Sequence, residues 1–236
     1  MRVGGLLVAF VLSLSGCGLE TVEYLPKPPV DSYLSQSQYH SLLISQNSGY
    51  YSGARDFQGY EIYYKIYPVA TGAVSSNLAN DVNRLNTTPT RDYLLALGYQ
   101  RMNAANDHST TVPLVSLGPD DVTAVTLDFS NLADVAPGFP LGSAPASPVP
   151  RVTFGNGASP VPVFRNVTTS GNVTYPYFNE LFTWSGKASD MDSTVGPTTS
   201  PYEIDIFIVA YAFTLEKTTY SQPVPWGVLK ELRVPQ

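Results

Sequence analysis

The sequence predicts a mainly β protein: an antiparallel β-sandwich with a short helical insertion and long Pro/Gly-rich loops. Three observations carry that prediction. Segments such as 57–67 and 202–213 alternate in polarity and are dominated by β-branched and aromatic residues, the pattern of strands rather than helices. A helical stripe is confined to one stretch near residues 75–106. The 20 prolines and 18 glycines break the remainder into short elements, above all between residues 137 and 162.

The chain opens Met1-Arg2, runs apolar from Val3 to Leu14 and continues Ser15-Gly16-Cys17-Gly18. A basic start, a short apolar core and small residues after it form a secretory signal peptide over residues 1–16. The apolar run falls short of the ~20 residues that a membrane-spanning helix needs. Leu14-Ser15-Gly16-Cys17 resembles the lipobox of bacterial lipoproteins, and Cys17 is the only cysteine in the chain. The resemblance implies cleavage between Gly16 and Cys17 and a diacylglyceryl group on the Cys17 sulfur. It also implies a cell-envelope location, with the membrane as partner through that lipid. Gly18 stands where an Asp would retain an enterobacterial lipoprotein in the inner membrane, so the same resemblance implies the outer membrane, on its periplasmic or its surface side.

Residues 17–30 read as a lipidated tether, stiffened by Pro26, Pro28 and Pro29 and running into the first sheet edge. Residues 31–236 read as a single sandwich domain. His40–Ser45 is a short apolar strand, and Gln46–Gly53 a polar loop. Phe57–Tyr67 is the clearest strand, with Tyr60, Ile62, Tyr64 and Ile66 toward a core and Glu61, Tyr63, Lys65 and Tyr67 on a half-exposed face. Leu78, Val82 and Leu85 form one helical stripe. Thr88-Pro89 reads as the start of a second helix, with Tyr93, Leu94, Leu97 and Met102 on its apolar side and a break near Gly98.

Val122–Leu127, Arg151–Phe154 and Val161–Phe164 read as strands, the last two flanking Gly155-Asn156-Gly157. Tyr175–Trp184 is aromatic and extended. Tyr202–Phe213 is a central strand, buried on both sides along its second half. Ser221–Gly227 is a proline-bent edge.

Two of these strands resemble fibronectin type III and related immunoglobulin-like domains. Gly59-Tyr60-Glu61-Ile62-Tyr63-Tyr64 is similar to that family's third strand, and Tyr202–Ala210 to its penultimate one; Ser221-Gln222-Pro223 is also family-like. The resemblance implies two antiparallel sheets packed face to face. The spacing of these strands exceeds a family domain of about 90–100 residues, and no tryptophan occupies the second strand. A fibronectin-like sandwich with insertions and an unrelated sandwich both remain open.

Charge excludes some functions. With 13 basic and 19 acidic residues the net charge is −6, a field that repels phosphate backbones, so nucleic acid is not an expected partner. One cysteine excludes an internal disulfide framework. His40 and His108 lack ligand spacing, and the chain holds no Gly-x-Ser-x-Gly, His-Glu-x-x-His or Walker sequence. Asp120-Asp121 and Asp190/Asp192 read as solvated turns rather than calcium ligands. No cofactor and no metal are expected.

Sixteen tyrosines are the unusual feature of the composition. Tyr50, Tyr51, Tyr63 and Tyr67 read in one of two ways: a recognition surface for a protein or glycan ligand, or ordinary cross-strand pairs. The expected function is that of a non-catalytic, lipid-anchored envelope protein that binds or scaffolds. The alternatives are an envelope hydrolase or glycan-processing enzyme whose carboxylates meet only in the fold, and a subunit of a larger envelope assembly.

Overall fold

The computed structural model describes residues 25–30, 41–68, 76–104, 112–129, 150–165, 167–169, 172–174, 202–214 and 217–232. The signal peptide, Gly16, Cys17, His40, His108, Tyr175–Trp184 and Asp190–Ser193 lie outside them. In chain order the elements are β1 (Ser41–Gln46), β2 (Phe57–Pro68), α1 (Ser76–Thr87), α2 (Arg91–Ala96), β3 (Gln100–Arg101), β4 (Asn103–Ala104), β5 (Val115–Ser116), β6 (Thr123–Asp128), β7 (Arg151–Phe154), β8 (Val161–Phe164), β9 (Val167–Thr169), β10 (Asn172–Thr174), β11 (Tyr202–Phe213), β12 (Thr218–Tyr220) and β13 (Val224–Leu232).

The fold is mainly β, and the strand pairs are antiparallel. One sheet runs β1-β6-β7-β8-β4. The other is built on β2 and β11, which pair along nearly their whole length from Tyr202↔Pro68 to Ala212↔Phe57. Beyond β11 lie β12 and β13, and beyond β2 lie β3 and β5. The chain changes sheets at Met102: its N–H donates to the Ile62 carbonyl, while Asn103 and Ala104 pair with β8. Small β9 and β10 form a separate hairpin.

Alternation does the sorting. Leu42 and Ile44 of β1, Val125 and Leu127 of β6, and Val152 of β7 face Tyr60, Ile62, Tyr64 and Ile66 of β2 and Ile204, Ile206 and Ile208 of β11 in one buried core. Trp226 closes the side of this sandwich. The register of β13 slips between Gly227 and Pro225, and the residue left over turns its indole into the core. Its Nε1 donates to the Leu43 carbonyl of β1 at 3.1 Å. Gly227 permits this approach, since a Cβ there would sit 2.6 Å from Leu42 Cδ2.

The other face of the β2/β11 sheet differs from its expected half exposure. Helices α1 and α2 lie over it, adding a third layer. Leu85 and Leu94 pack with Tyr63, Tyr99, Phe207 and Val209, and Leu78 packs with Tyr67 and Val228. Strand β11 is therefore buried on both sides from Glu203 to Ala212, not only in its second half.

The helices also correct two sequence expectations. The cap of α2 is Thr90, whose hydroxyl accepts from the Tyr93 N–H at 3.2 Å; Thr88 and Pro89 precede it. The helix stops at Gly98 (φ 88°), with Gly98 N–H bonded to Leu95 O and Tyr99 N–H to Leu94 O, a Schellman end. Met102 thus lies on the strand crossover rather than on the helix, and Tyr99 is driven down onto the sheet.

Candidate functional site

The titratable side chains that the fold gathers lie between the helices and the β2/β11 sheet. Glu61, Tyr63, Lys65 and Tyr67 share one face of β2 because they alternate. Two linked clusters grow from that row.

In the first, Glu61 is 1% exposed. The Tyr63 hydroxyl donates to its Oε2, and Arg101 Nε stands 3.0 Å from its Oε1. Arg91, the first residue of α2, donates from Nε to the Tyr63 oxygen at 2.6 Å and lies 3.6 Å from Glu61. The Arg91 guanidinium also lies 4.2 Å from the centre of the Tyr220 ring, a cation–π contact that ties β12 into the cluster. Two arginines thus face one buried carboxylate, the pairing that a carboxyl group away from water requires.

In the second, Lys65 Nζ reaches Asp81 of α1 at 2.7 Å and the Leu97 carbonyl at 2.6 Å. Tyr67 donates to the same Asp81 oxygen at 2.8 Å. Tyr99 donates to Asp205 of β11 at 2.5 Å, and the two hydroxyl oxygens stand 3.2 Å apart. The lysine head lies over both the Tyr67 and the Tyr99 rings.

Burial pushes the Tyr63, Tyr67 and Tyr99 hydroxyls far above their ordinary value, and neighbouring carboxylates push the same way. They are neutral donors at any physiological pH and not phenolate nucleophiles. Asp81 and Asp205 are joined through the Tyr67 and Tyr99 hydroxyls, by contacts of 2.8, 3.2 and 2.5 Å. Both acids are buried, Asp81 at 8% and Asp205 at 0% exposed. Among the described residues, no group of three or more His, Cys, Asp and Glu could hold a metal ion.

A third polar cluster secures one pole of the sandwich. Gln46, 1% exposed, donates from Nε2 to the carbonyls of Gly118 and Asp121 and accepts at Oε1 from the Tyr60 hydroxyl. Asp121 Oδ2 accepts from the Gly118 N–H at 2.7 Å, so this acid stabilises a turn.

Of the tyrosines expected on a recognition surface, only Tyr50 is exposed, at 41%. Tyr51, Tyr63 and Tyr67 are each 0% exposed, which corrects that expectation. Tyr51 stacks on Phe57 with ring centres 3.8 Å apart, and the other two lie beneath the helices. Sequence reasoning missed Asp81, Arg91, Tyr99 and Asp205 as members of one network. The available signal was Asp81, one turn from Leu78 on a helix whose stripe it adjoins.

The expected tether also has structure at its far end. Leu25 is 4% exposed and belongs to the main core, Pro28 is buried, and the Tyr50 hydroxyl donates to the Lys27 carbonyl at 2.8 Å. Among the described residues, no helix is long and apolar enough to cross a membrane. Against known family models, curated proteins and solved structures, the chain finds no match.

Proposed function

We propose that the chain is a lipid-anchored protein of a bacterial envelope and serves there as a binding or scaffolding module without catalysis. The observation that carries the reading is Leu14-Ser15-Gly16-Cys17, which puts the only cysteine at the position a lipobox requires. Acyl chains contribute about 0.8 kcal/mol per buried methylene, so two or more hold a protein on a bilayer stably. The non-catalytic part is supported by the way Glu61, Asp81 and Asp205 are engaged by tyrosines, arginines and a lysine under the helices. That arrangement clamps a layer onto a sheet.

A fibronectin type III-like sandwich is the fold within this reading. Its support is the adjacency β2-β11-β13, in which the two family-like strands pair antiparallel and the last strand follows, as the third, sixth and seventh strands do in immunoglobulin-like folds. The helices α1 and α2 are then additions that lengthen the chain.

Cys17→Ser tests the anchor. The wild-type protein is expected in the detergent phase on partitioning, its first residue Cys17 and its mass raised by acyl groups, with the variant in the aqueous phase. A wild-type chain that starts elsewhere without added mass refutes the reading.

A further inference from the structure

The tether is short and its far end is fixed, so the orientation of the sandwich on a membrane follows from geometry. We propose that the pole bearing Tyr50, Lys27 and Val122 rests against the lipid headgroup layer that holds the anchor. This inference rests on the lipidation of Cys17.

The fixed end is Leu25, buried in the core two residues before Lys27, whose carbonyl is held by Tyr50. Cys17 and Leu25 are eight positions apart, so their separation cannot exceed about 29 Å. Strand β2 begins at this pole with Phe57 and ends at the other with Pro68, and at ~3.3 Å per residue it spans about 36 Å. A molecule standing on its far pole would hold Leu25 at the limit of the tether's reach, with every residue from Cys17 to Leu25 fully extended. The near pole is the one the anchor seats with slack in the tether.

Its surface suits that contact. The pole comprises the β1–β2 loop, the Gly118–Val122 segment held by Gln46, and the ends of β11 and β12 at Thr214 and Lys217, which adjoin the β1–β2 loop through the Phe213 N–H to Asp56 carbonyl bond. It exposes Tyr50 (41%) and Val122 (61%), an aromatic and an aliphatic tip of the kind that settles at a headgroup boundary. Lys27, Arg55 and Lys217 are exposed around them, and Asp56, Asp120 and Asp121 are the acids among the described residues there.

The test uses the full-length lipidated protein reconstituted into phosphatidylcholine vesicles containing a headgroup-nitroxide lipid. Lipidated Cys17 is a thioether and does not react with maleimide. One added cysteine, Ser52→Cys at the near pole or Asn80→Cys on α1 beside the far end of β2, therefore carries a maleimide-linked fluorophore alone. Both residues are exposed. Quenching several-fold stronger at position 52 than at position 80 is the expected result. Equal quenching at the two positions, or stronger quenching at 80, in protein that floats with the vesicles overturns the orientation while leaving the anchor intact. Protein that fails to float and carries a free Cys17 thiol by mass spectrometry overturns the anchor and the orientation together.

Discussion

Tyr99 donates its hydroxyl proton to Asp205 at 2.5 Å, joining the residue that ends the helical layer to the centre of the sheet 106 positions away. The bond exists because the Schellman end of α2 turns Tyr99 downward. Hydrogen bonds to a buried charged acceptor contribute roughly 1.5–3 kcal/mol, and the phenylalanine ring would keep the packing on Phe207. Tyr99→Phe is therefore expected to lower stability to urea by about that amount with an unchanged m-value. A loss below ~0.5 kcal/mol would mean the bond contributes no more than an exposed contact.

The buried tyrosines dictate how the protein fails in alkali. Burial raises the folded-state pKa of Tyr51, Tyr60, Tyr63, Tyr67 and Tyr99 above that of the unfolded chain. The stability they contribute is complete below the unfolded tyrosine value near 10 and falls as pH rises past it, because only the unfolded state then releases protons. Each group adds a slope approaching about 1.4 kcal/mol per pH unit. Absorbance of phenolate is expected to show these tyrosines ionising in one cooperative step that coincides with loss of circular dichroism. Gradual ionisation of all tyrosines in a folded protein would contradict their burial.

The helical layer should come away when its ion pair is cut. Lys65 touches both Asp81 of α1 and the carbonyl of Leu97, the C-cap of α2, at 2.7 and 2.6 Å, so it holds both helices to β2. Removing one partner of a largely buried pair costs about 3 kcal/mol or more, since the other charge is left in a poor solvent. Lys65→Met and Asp81→Leu are each expected to reach that size, and the double variant to lose clearly less than their sum. Hydrogen exchange should accelerate in residues 76–96 before it does in β2 or β11. Additive losses would show that the pair is not coupled.

The legible and illegible parts of the fold divide on a physical line. The strands of β2, β6, β7, β8 and β11 were readable because alternation is a local property, and Leu78, Val82 and Leu85 announced α1 for the same reason. The row Glu61, Tyr63, Lys65, Tyr67 was placed on one face correctly, but its polarity suggested water where the structure puts helices. A charged row reads the same whether it faces solvent or an equally charged partner layer; only the complement, Asp81 and Arg91, decides. Those complements lie 16 and 30 positions from Lys65 and Glu61, and no local pattern joins them. The recognition-surface reading fails at Tyr63 and Tyr67 for that reason, whereas Tyr51 is buried by stacking on Phe57 in the main core. Thr90 rather than Thr88 capped α2 because Pro89 is equally content just before a helix and just inside one.

Gly59 separates a packing requirement from a conformational one. It stands at φ 133°, and a Cβ there would lie 1.8 Å from the Val115 carbonyl oxygen, where β5 crosses beside β2. Backbone cannot yield as a side chain tip does, so Gly59→Ala is expected to displace β5 and lower the melting temperature steeply. Gly49→Ala is the comparison: its φ is 77°, with nothing within 4 Å of an added Cβ, so only the left-handed strain of about 1–2 kcal/mol applies. Similar melting temperatures for the two variants would show that the contact with β5 is dispensable.

The docking of residues 25–30 should depend on burial more than on its hydrogen bond. Leu25 is almost fully enclosed, and truncating an enclosed leucine to alanine costs about 2–5 kcal/mol. The bond from Tyr50 to the Lys27 carbonyl is exposed, and an exposed neutral bond contributes about 0.5–1.5 kcal/mol at most. Leu25→Ala is therefore expected to destabilise the protein more than Tyr50→Phe. It should also speed exchange of the Val30 amide, which bonds to the Pro28 carbonyl, before the amides of the β1–β6 ladder respond. The reverse ranking would place the grip on the segment at Tyr50 instead, and the reach of any anchor at Cys17 would then be set by one surface hydrogen bond rather than by the core.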